Sequence, residues 1–405
     1  MSSASIERAD IAIVGGGASG LAAGAAMKRR GIEPVILERD DRIGGTWARR
    51  YEKLRLHTTR ALSGLPFHPL PRGLPRYVTK DDYARYLAHY AERLQLPVVL
   101  DRCVDRIRPA SDGPGWVVET QKGDFRVRAV VVATGKHDVP FRPRWKGEET
   151  FLGTILHSAE YRRGKDFTGR RVLVVGIGNS GAEIATDLAE SGAARVAIAV
   201  RKPPPITSRE ILGVPIQVLG ILLAPFPPRW VDRLGKALRR FSNGDLSRYG
   251  LGREAWGPFT ARRPPVIDVG FLARLKRRQI DVVPIPSRLT RRGAVFADGR
   301  IEDFDVIVWA TGFTSGLDRL LDAPGALDER AFPLCGEGGH GSRAGLFFIG
   351  FNETPRGALF EANRDARHLA RRVERYLREG STQGALATNG PGLSPGPAVG
   401  VHAPG

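Results

Sequence analysis

An α/β fold of two parallel-sheet units is predicted by three observations: two short apolar runs that each end in a glycine-rich turn, the helical pattern after each turn, and a length of 405 residues, enough for two domains. Asp10–Val14 is the first run. It is followed by Gly15-Gly16-Gly17-Ala18-Ser19-Gly20, a helical pattern to Arg30, and a second run, Pro34–Leu37, closed by Glu38. The same grammar returns at Arg171–Val175, Gly176-Ile177-Gly178-Asn179-Ser180-Gly181, a helix to Ser191, and Arg195–Val200 closed by Arg201. Each is a βαβ unit of the Rossmann type, and two of them make a protein that holds two nucleotides.

Between the units, Tyr83–Leu94 reads as an amphipathic helix, and Trp116–Thr120 with Phe125–Val132 as a hairpin feeding a buried strand. From Lys202 the βαβ spacing lapses, and the Pro-rich, apolar stretch 203–265 reads as an insertion over a site. Strand patterns resume at Ile280–Val283, Ala294–Ala297 and Asp305–Ala310. A helix Phe360–Glu379, with Leu369, Val373 and Leu377 as its apolar stripe, is expected to stop at Gly380. Ser381–Gly405 is rich in Gly, Pro, Ala and Ser with little to bury, and is expected to be disordered. The expected domains are therefore 1–165 with 305–380 as one discontinuous unit, 166–302 inserted into it, and a tail, 381–405.

Lys and Arg number 62 against 43 Asp and Glu, a net charge of +19. Of these, 52 are Arg and 10 are Lys, spread along the whole chain, which points to biased composition and away from a nucleic-acid partner. Cys103 and Cys335 lie far apart without a Cys-x-x-Cys, so neither a dithiol centre nor a zinc site of ordinary spacing is expected, and a reducing cytoplasm suits the chain. No H-E-x-x-H or His-carboxylate cluster suggests a metal. The N-terminus shows no apolar signal core. The sixteen uncharged residues Ile211–Phe226 contain two prolines and fall short of the roughly 20 a membrane span needs. They are expected to be buried or substrate-facing, with interfacial membrane contact the lesser alternative.

The turns carry the chemistry. Gly15 permits a tight turn, Gly17 lets the backbone approach a pyrophosphate, Gly20 lets helix and strand pack closely, and the helix start at Ala18 and Ser19 offers N–H groups to phosphate. Glu38, 18 residues after Gly20, suits the two hydroxyls of an adenosine ribose and repels a 2′-phosphate, so this site fits FAD or NAD. In the second unit Gly176, Gly178, Asn179, Ser180 and Gly181 repeat the turn, but Arg201 and Lys202 stand where the acid would be, which suits NADPH. One site of each kind implies hydride transfer into a bound flavin.

Gly44-Gly45-Thr46-Trp47 and Phe151-x-Gly153-x-x-x-His157-x-x-x-Tyr161 resemble the class B flavin-containing monooxygenases, the second string matching their identifying motif at every fixed position. Ala133-Thr134-Gly135 and Ala310-Thr311-Gly312 resemble the family's two strand-to-loop returns. Tyr161-Arg162 departs from the Trp of the ketone-oxidising branch. His57 stands where many N- and S-oxygenating members place Asn, and Leu54-Arg-Leu-His57, Leu65-Pro-Phe67 and Pro265–Gly270 resemble the plant YUCCA-type members. The resemblance implies that FAD is held by Gly15, Gly17, Ala18, Ser19, Gly20, Glu38, Arg39, Gly45, Thr46, Trp47 and Ala133–Gly135, and NADPH by Gly176, Gly178, Asn179, Ser180, Gly181, Arg201, Lys202 and Ala310–Gly312. It further implies dioxygen as co-substrate, a C4a-(hydro)peroxyflavin, and a small-molecule substrate, an aromatic 2-oxo acid such as indole-3-pyruvate undergoing oxidative decarboxylation. N- or S-oxygenation, or an uncoupled NADPH oxidase or flavin sensor, is the alternative. His57 and Asn179 are the catalytic candidates; His57 reads equally as a packed histidine, and His157 as mainly structural. Oligomeric state stays open.

Overall fold

The computed structural model describes residues 6–334, 343–352 and 354–388. Strands β1 (Ile6–Val14), β2 (Val35–Leu37), β3 (Val98–Val99), β4 (Val104–Pro109), β5 (Trp116–Thr120) and β6 (Asp124–Val132) form the first sheet in the order β3-β2-β1-β6-β5-β4, with Leu346–Phe348 also paired to β6. The nucleotide half is parallel, Ala12 facing Val35 and Val130, while β4, β5 and β6 run antiparallel. Helix α1 (Ala18–Lys28) buries every residue from Gly20 to Met27, which is why it is apolar all round and not striped. It packs between this sheet and the C-terminal helix through Leu21, Met27, Leu369 and Val373. Helix α2 (Lys80–Arg93) is capped by Thr79, whose side chain accepts from the Asp82 N–H, and turns Tyr83, Tyr86 and Tyr90 inward.

The second sheet contains β7 (Thr154–His157), β8 (Arg171–Val175), β9 (Arg195–Ala199), β12 (Asp281–Val283) and β13 (Val306–Trp309), all parallel, in the order β12-β9-β8-β13-β7. Strand β13 lies between β7 and β8, Val306 facing both Thr154 and Val172. This sheet therefore reaches beyond the 166–302 range expected of it, because β7 and β13, the last two strands at one end, come from the chain segments that enter and leave the unit. Helix α3 (Asn179–Glu190) covers it.

Within 203–265 and just after it, β10 (Ile206–Ser208) pairs in parallel with β11 (Val266–Asp268), and between them lie α4 (Ile216–Leu223) and α5 (Pro228–Asn243). Gln217 pins α4 to the first unit by accepting from the Thr59 N–H at 3.0 Å and donating to the Arg356 carbonyl at 2.8 Å. Of Ile211–Phe226, expected to be buried or substrate-facing, Pro215, Gln217 and Gly220 are buried, but contrary to that expectation Leu212 is 99 % exposed, and Leu222 and Phe226 also face out. Only part of this short helix reaches the body of the protein.

Helix α6 runs Ala358–Thr388, so Gly380 does not stop it. An interior glycine costs a helix about 1 kcal/mol relative to Ala, and the helix carries two here, Gly380 and Gly384, while Gln383, Ala385, Leu386 and Ala387 favour helix. Residues 381–388 are helical instead of disordered, and the rest of the expected disordered tail, 389–405, lies outside the described residues.

Candidate functional site

The two glycine turns are built alike. Gly15 (φ +109°) and Gly176 (φ +104°) are left-handed, and a Cβ on either would meet the carbonyl oxygen of Ala133 at 2.7 Å or of Ala310 at 2.6 Å. The Gly15 N–H donates to the Leu37 carbonyl at 2.8 Å, and Gly176 to Ala199 at 3.0 Å. A Cβ on Gly20 would stand 1.9 Å from the Gly15 oxygen, and on Gly181 2.0 Å from that of Gly176. By contrast nothing lies within 4 Å of a Cβ at Gly17 or Gly178. Those open positions face the cavity at the starts of α1 and α3, where unpaired N–H groups and the helix dipole favour phosphate. The Thr134 Oγ1 is buried beside the first turn with no protein partner, a polar atom suited to a bound ligand. These features fit two dinucleotides.

Charge distinguishes the two. Glu38 Oε2 accepts from the Gly16 N–H at 2.7 Å and Oε1 from the Asp40 N–H at 3.0 Å. Each oxygen keeps a lone pair, so the carboxylate is fixed yet able to accept ribose hydroxyls. Arg201 and Lys202 are exposed, line the same cavity, and have no ion-pair partner among the described residues. Arg39 is ion-paired to Asp138 at 2.7 Å, so its charge is partly spent within the protein.

One cavity of about 2080 Å³ joins both turns. It is lined by Gly15, Gly17, Ala18, Ser19, Glu38, Arg39, Gly45, Thr46, Trp47, His57 and Ala133–Gly135 from the first unit, and by Gly176, Gly178, Asn179, Ser180, Arg201, Lys202 and Ala310–Gly312 from the second side. Ile216, Leu219 and Leu223 of α4 close over it. Gly20 and Gly181 pack beneath the turns. Trp47 makes an edge contact with Tyr83 at 4.9 Å between ring centroids, so it both packs and faces the cavity. Asn179 is committed on one side: its Oδ1 accepts from the Ile267 N–H at 2.8 Å, tying the start of α3 to β11.

His57 is held through Nε2 by Glu183 Oε1, and the other oxygen of that carboxylate accepts from the Tyr51 hydroxyl at 3.1 Å. Burial, and then the nearby Glu183 charge, push the Tyr51 phenol well above its ordinary range, so it stays a donor. Glu183 lies two residues beyond the glycine turn, on α3, and sequence reasoning missed it. The available signal was an acid near the start of a helix whose N-terminus serves a phosphate.

The four family-motif residues lie outside the cavity. His157 Nε2 donates to the Gly312 carbonyl at 3.0 Å while Nδ1 accepts from the Ala159 N–H at 3.1 Å, a neutral tautomer, and burial lowers its pKa. Tyr161 is buried and donates to Asp187 at 2.7 Å. Gly153 packs where a Cβ would meet the Asp305 carbonyl at 2.4 Å and the Phe151 ring at 2.5 Å. Their spacing reflects packing around the second sheet.

Residues 12–210 match the family model described as pyridine nucleotide-disulphide oxidoreductase. With two cysteines and no Cys-x-x-Cys, the chain shares that family's nucleotide fold and not a dithiol pair. Over 382 residues it is 35 % identical to indole-3-pyruvate monooxygenase YUCCA1 of Oryza sativa subsp. japonica, covering 91 % of this chain and 92 % of the relative. It is likewise 35 % identical to indole-3-pyruvate monooxygenase YUCCA6 of Arabidopsis thaliana, covering 91 % and 90 %. The solved flavin-containing monooxygenase from Stenotrophomonas maltophilia matches with a TM-score of 0.72 at 25 % identity, over 92 % of this chain and 99 % of that one.

Proposed function

The chain belongs to the YUCCA-type flavin-containing monooxygenases, and from that premise we propose that it oxidatively decarboxylates an aromatic 2-oxo acid such as indole-3-pyruvate. It is a flavin-dependent NADPH:oxygen monooxygenase with FAD and NADPH as cofactors. The observation that carries the reading is the pair of matched glycine turns, one closed by Glu38 and the other by Arg201 and Lys202, on one cavity. FAD, once reduced by NADPH, supplies the electrons that activate dioxygen.

The protein's own residues do the rest. The α1 N-terminus, Gly17 and Thr134 hold the flavin's pyrophosphate side and Glu38 its ribose. The α3 N-terminus, Gly178 and Ser180 hold NADPH, with Arg201 and Lys202 on its 2′-phosphate. Glu183, itself steadied by the Tyr51 hydroxyl, fixes the His57 ring through Nε2, leaving Nδ1 to hold or release a proton at the substrate. Arg50 and Arg55 line the cavity and draw an anionic substrate inward. Ile216, Leu219 and Leu223 exclude water from the reacting end.

Enzyme, NADPH and indole-3-pyruvate under isotopically labelled dioxygen test this. The expected result is one labelled oxygen in an acetate product, with carbon dioxide released in step with NADPH use. NADPH consumption that yields hydrogen peroxide alone, or label transferred only to an added thioether or amine, overturns the 2-oxo acid assignment.

A further inference from the structure

We propose that helix α5 docks the enzyme on an anionic lipid surface. Trp230, Leu234, Leu238 and Phe241 repeat at helical spacing and form a stripe, and all four are exposed, Trp230 at 73 % and Phe241 at 92 %. The last turn of α4 adds exposed Leu222, and the connection from it to α5 adds exposed Phe226. An outward apolar stripe on a folded domain marks a surface that meets something.

The charges say what it meets. Arg229, Arg233, Lys236 and Arg240 are exposed, fall together on one flank of the stripe, and have no ion-pair partner among the described residues. The helix's one acid, Asp232, is engaged inward by the Phe259 and Thr260 N–H groups at 3.0 and 2.8 Å, and Arg239 is paired with Glu254 at 2.8 Å. Val231 and Asn243 are buried and take the packed face. An apolar stripe beside a row of free cations suits acyl chains beneath acidic headgroups. A second copy would bring the same cations against each other, on a chain already at +19. Among the described residues no helix is long and apolar enough to cross a membrane, so the contact is interfacial. Leu234, Leu238 and Phe241 also line the large cavity, which places its rim at the lipid.

Co-sedimentation of the flavin-loaded enzyme with vesicles tests this independently of turnover. Binding is expected to phosphatidylcholine vesicles containing phosphatidylserine and not to phosphatidylcholine alone. The triple variant Leu222→Gln, Phe226→Gln, Trp230→Gln keeps net charge, and is expected to bind about 100-fold more weakly. Wild-type binding by that variant overturns the proposal, since diffuse charge would then account for the affinity. Should the triple variant misfold, lipid-borne bromine quenching of tryptophan fluorescence decides: quenching is expected to drop in Trp230→Phe, and unchanged quenching contradicts the docking. Light scattering that shows the triple variant splitting a wild-type dimer assigns the stripe to a second copy and likewise overturns it.

Discussion

The two glycine turns share a backbone and differ in what stands behind it. In the first unit α1 is buried along most of its length and apolar, and the acid that closes the unit, Glu38, is tied down by two N–H donors. In the second, α3 buries Glu183 and Asp187, which reach across to His57, Tyr51 and Tyr161, while Arg201 and Lys202 stand free. On the proposed reading the first unit would be a fixed cradle for a cofactor that stays, and the second would carry the polar groups of the reacting end and an untethered cation suited to a cofactor that comes and goes.

Glycine substitutions break the comparison most severely. Gly20→Ala and Gly181→Ala place a methyl within 2.0 Å of a carbonyl oxygen and are expected to yield no soluble, flavin-loaded protein. Gly17→Ala has open space and a conformation that Ala adopts (φ −75°, ψ −175°), so it is expected to fold yet lose flavin affinity by about ten-fold or more, read by flavin absorbance. Gly178→Ala is expected to keep its flavin and weaken NADPH instead. Soluble, fully loaded Gly20→Ala would refute the packing account.

A smaller effect separates the helices. Glu183→Gln keeps the volume but weakens the hold on His57 and Tyr51, and is expected to lower kcat about ten-fold and move its pH profile, with flavin content unchanged. A profile that does not move reduces Glu183 to a packing residue.

The smallest effect belongs to His157. Burial lowers its folded pKa below the ordinary 6.5, so the unfolded chain takes the proton first, and stability falls as pH drops below about 6.5, by up to roughly 1.4 kcal/mol per unit until the folded ring titrates. Urea melts between pH 5 and 7 are expected to show a steeper acid loss for wild type than for His157→Gln. Equal slopes contradict the neutral, bonded ring.

Much of this was legible because it is local. A glycine turn, and the residue that closes the next strand, sit within one βαβ unit, so Glu38 and Arg201 could be read from spacing alone. What escaped depends on distant partners. Glu183 reads as a solvated helix acid until the fold brings His57, 126 residues away, against it. Strands β7 and β13 are separated by the whole second unit, and their register with β8 has no local sign. The α5 stripe has the spacing of a core-facing helix, and only the fold shows it turned outward. The family motif was plain in sequence, yet its four residues pack outside the cavity.

Anaerobic reduction of the bound flavin by NADPH and by NADH, in wild type and Arg201→Glu, tests the opposite charge of the two sites most directly. With a charge pair worth up to about 4 kcal/mol at ~4 Å and an effective dielectric of ~20, wild type is expected to be reduced by NADPH at concentrations at least 100-fold lower than by NADH. Arg201→Glu is expected to lose that preference while keeping its flavin. Equal use of the two nucleotides by wild type, or an unchanged preference in Arg201→Glu, would contradict the account.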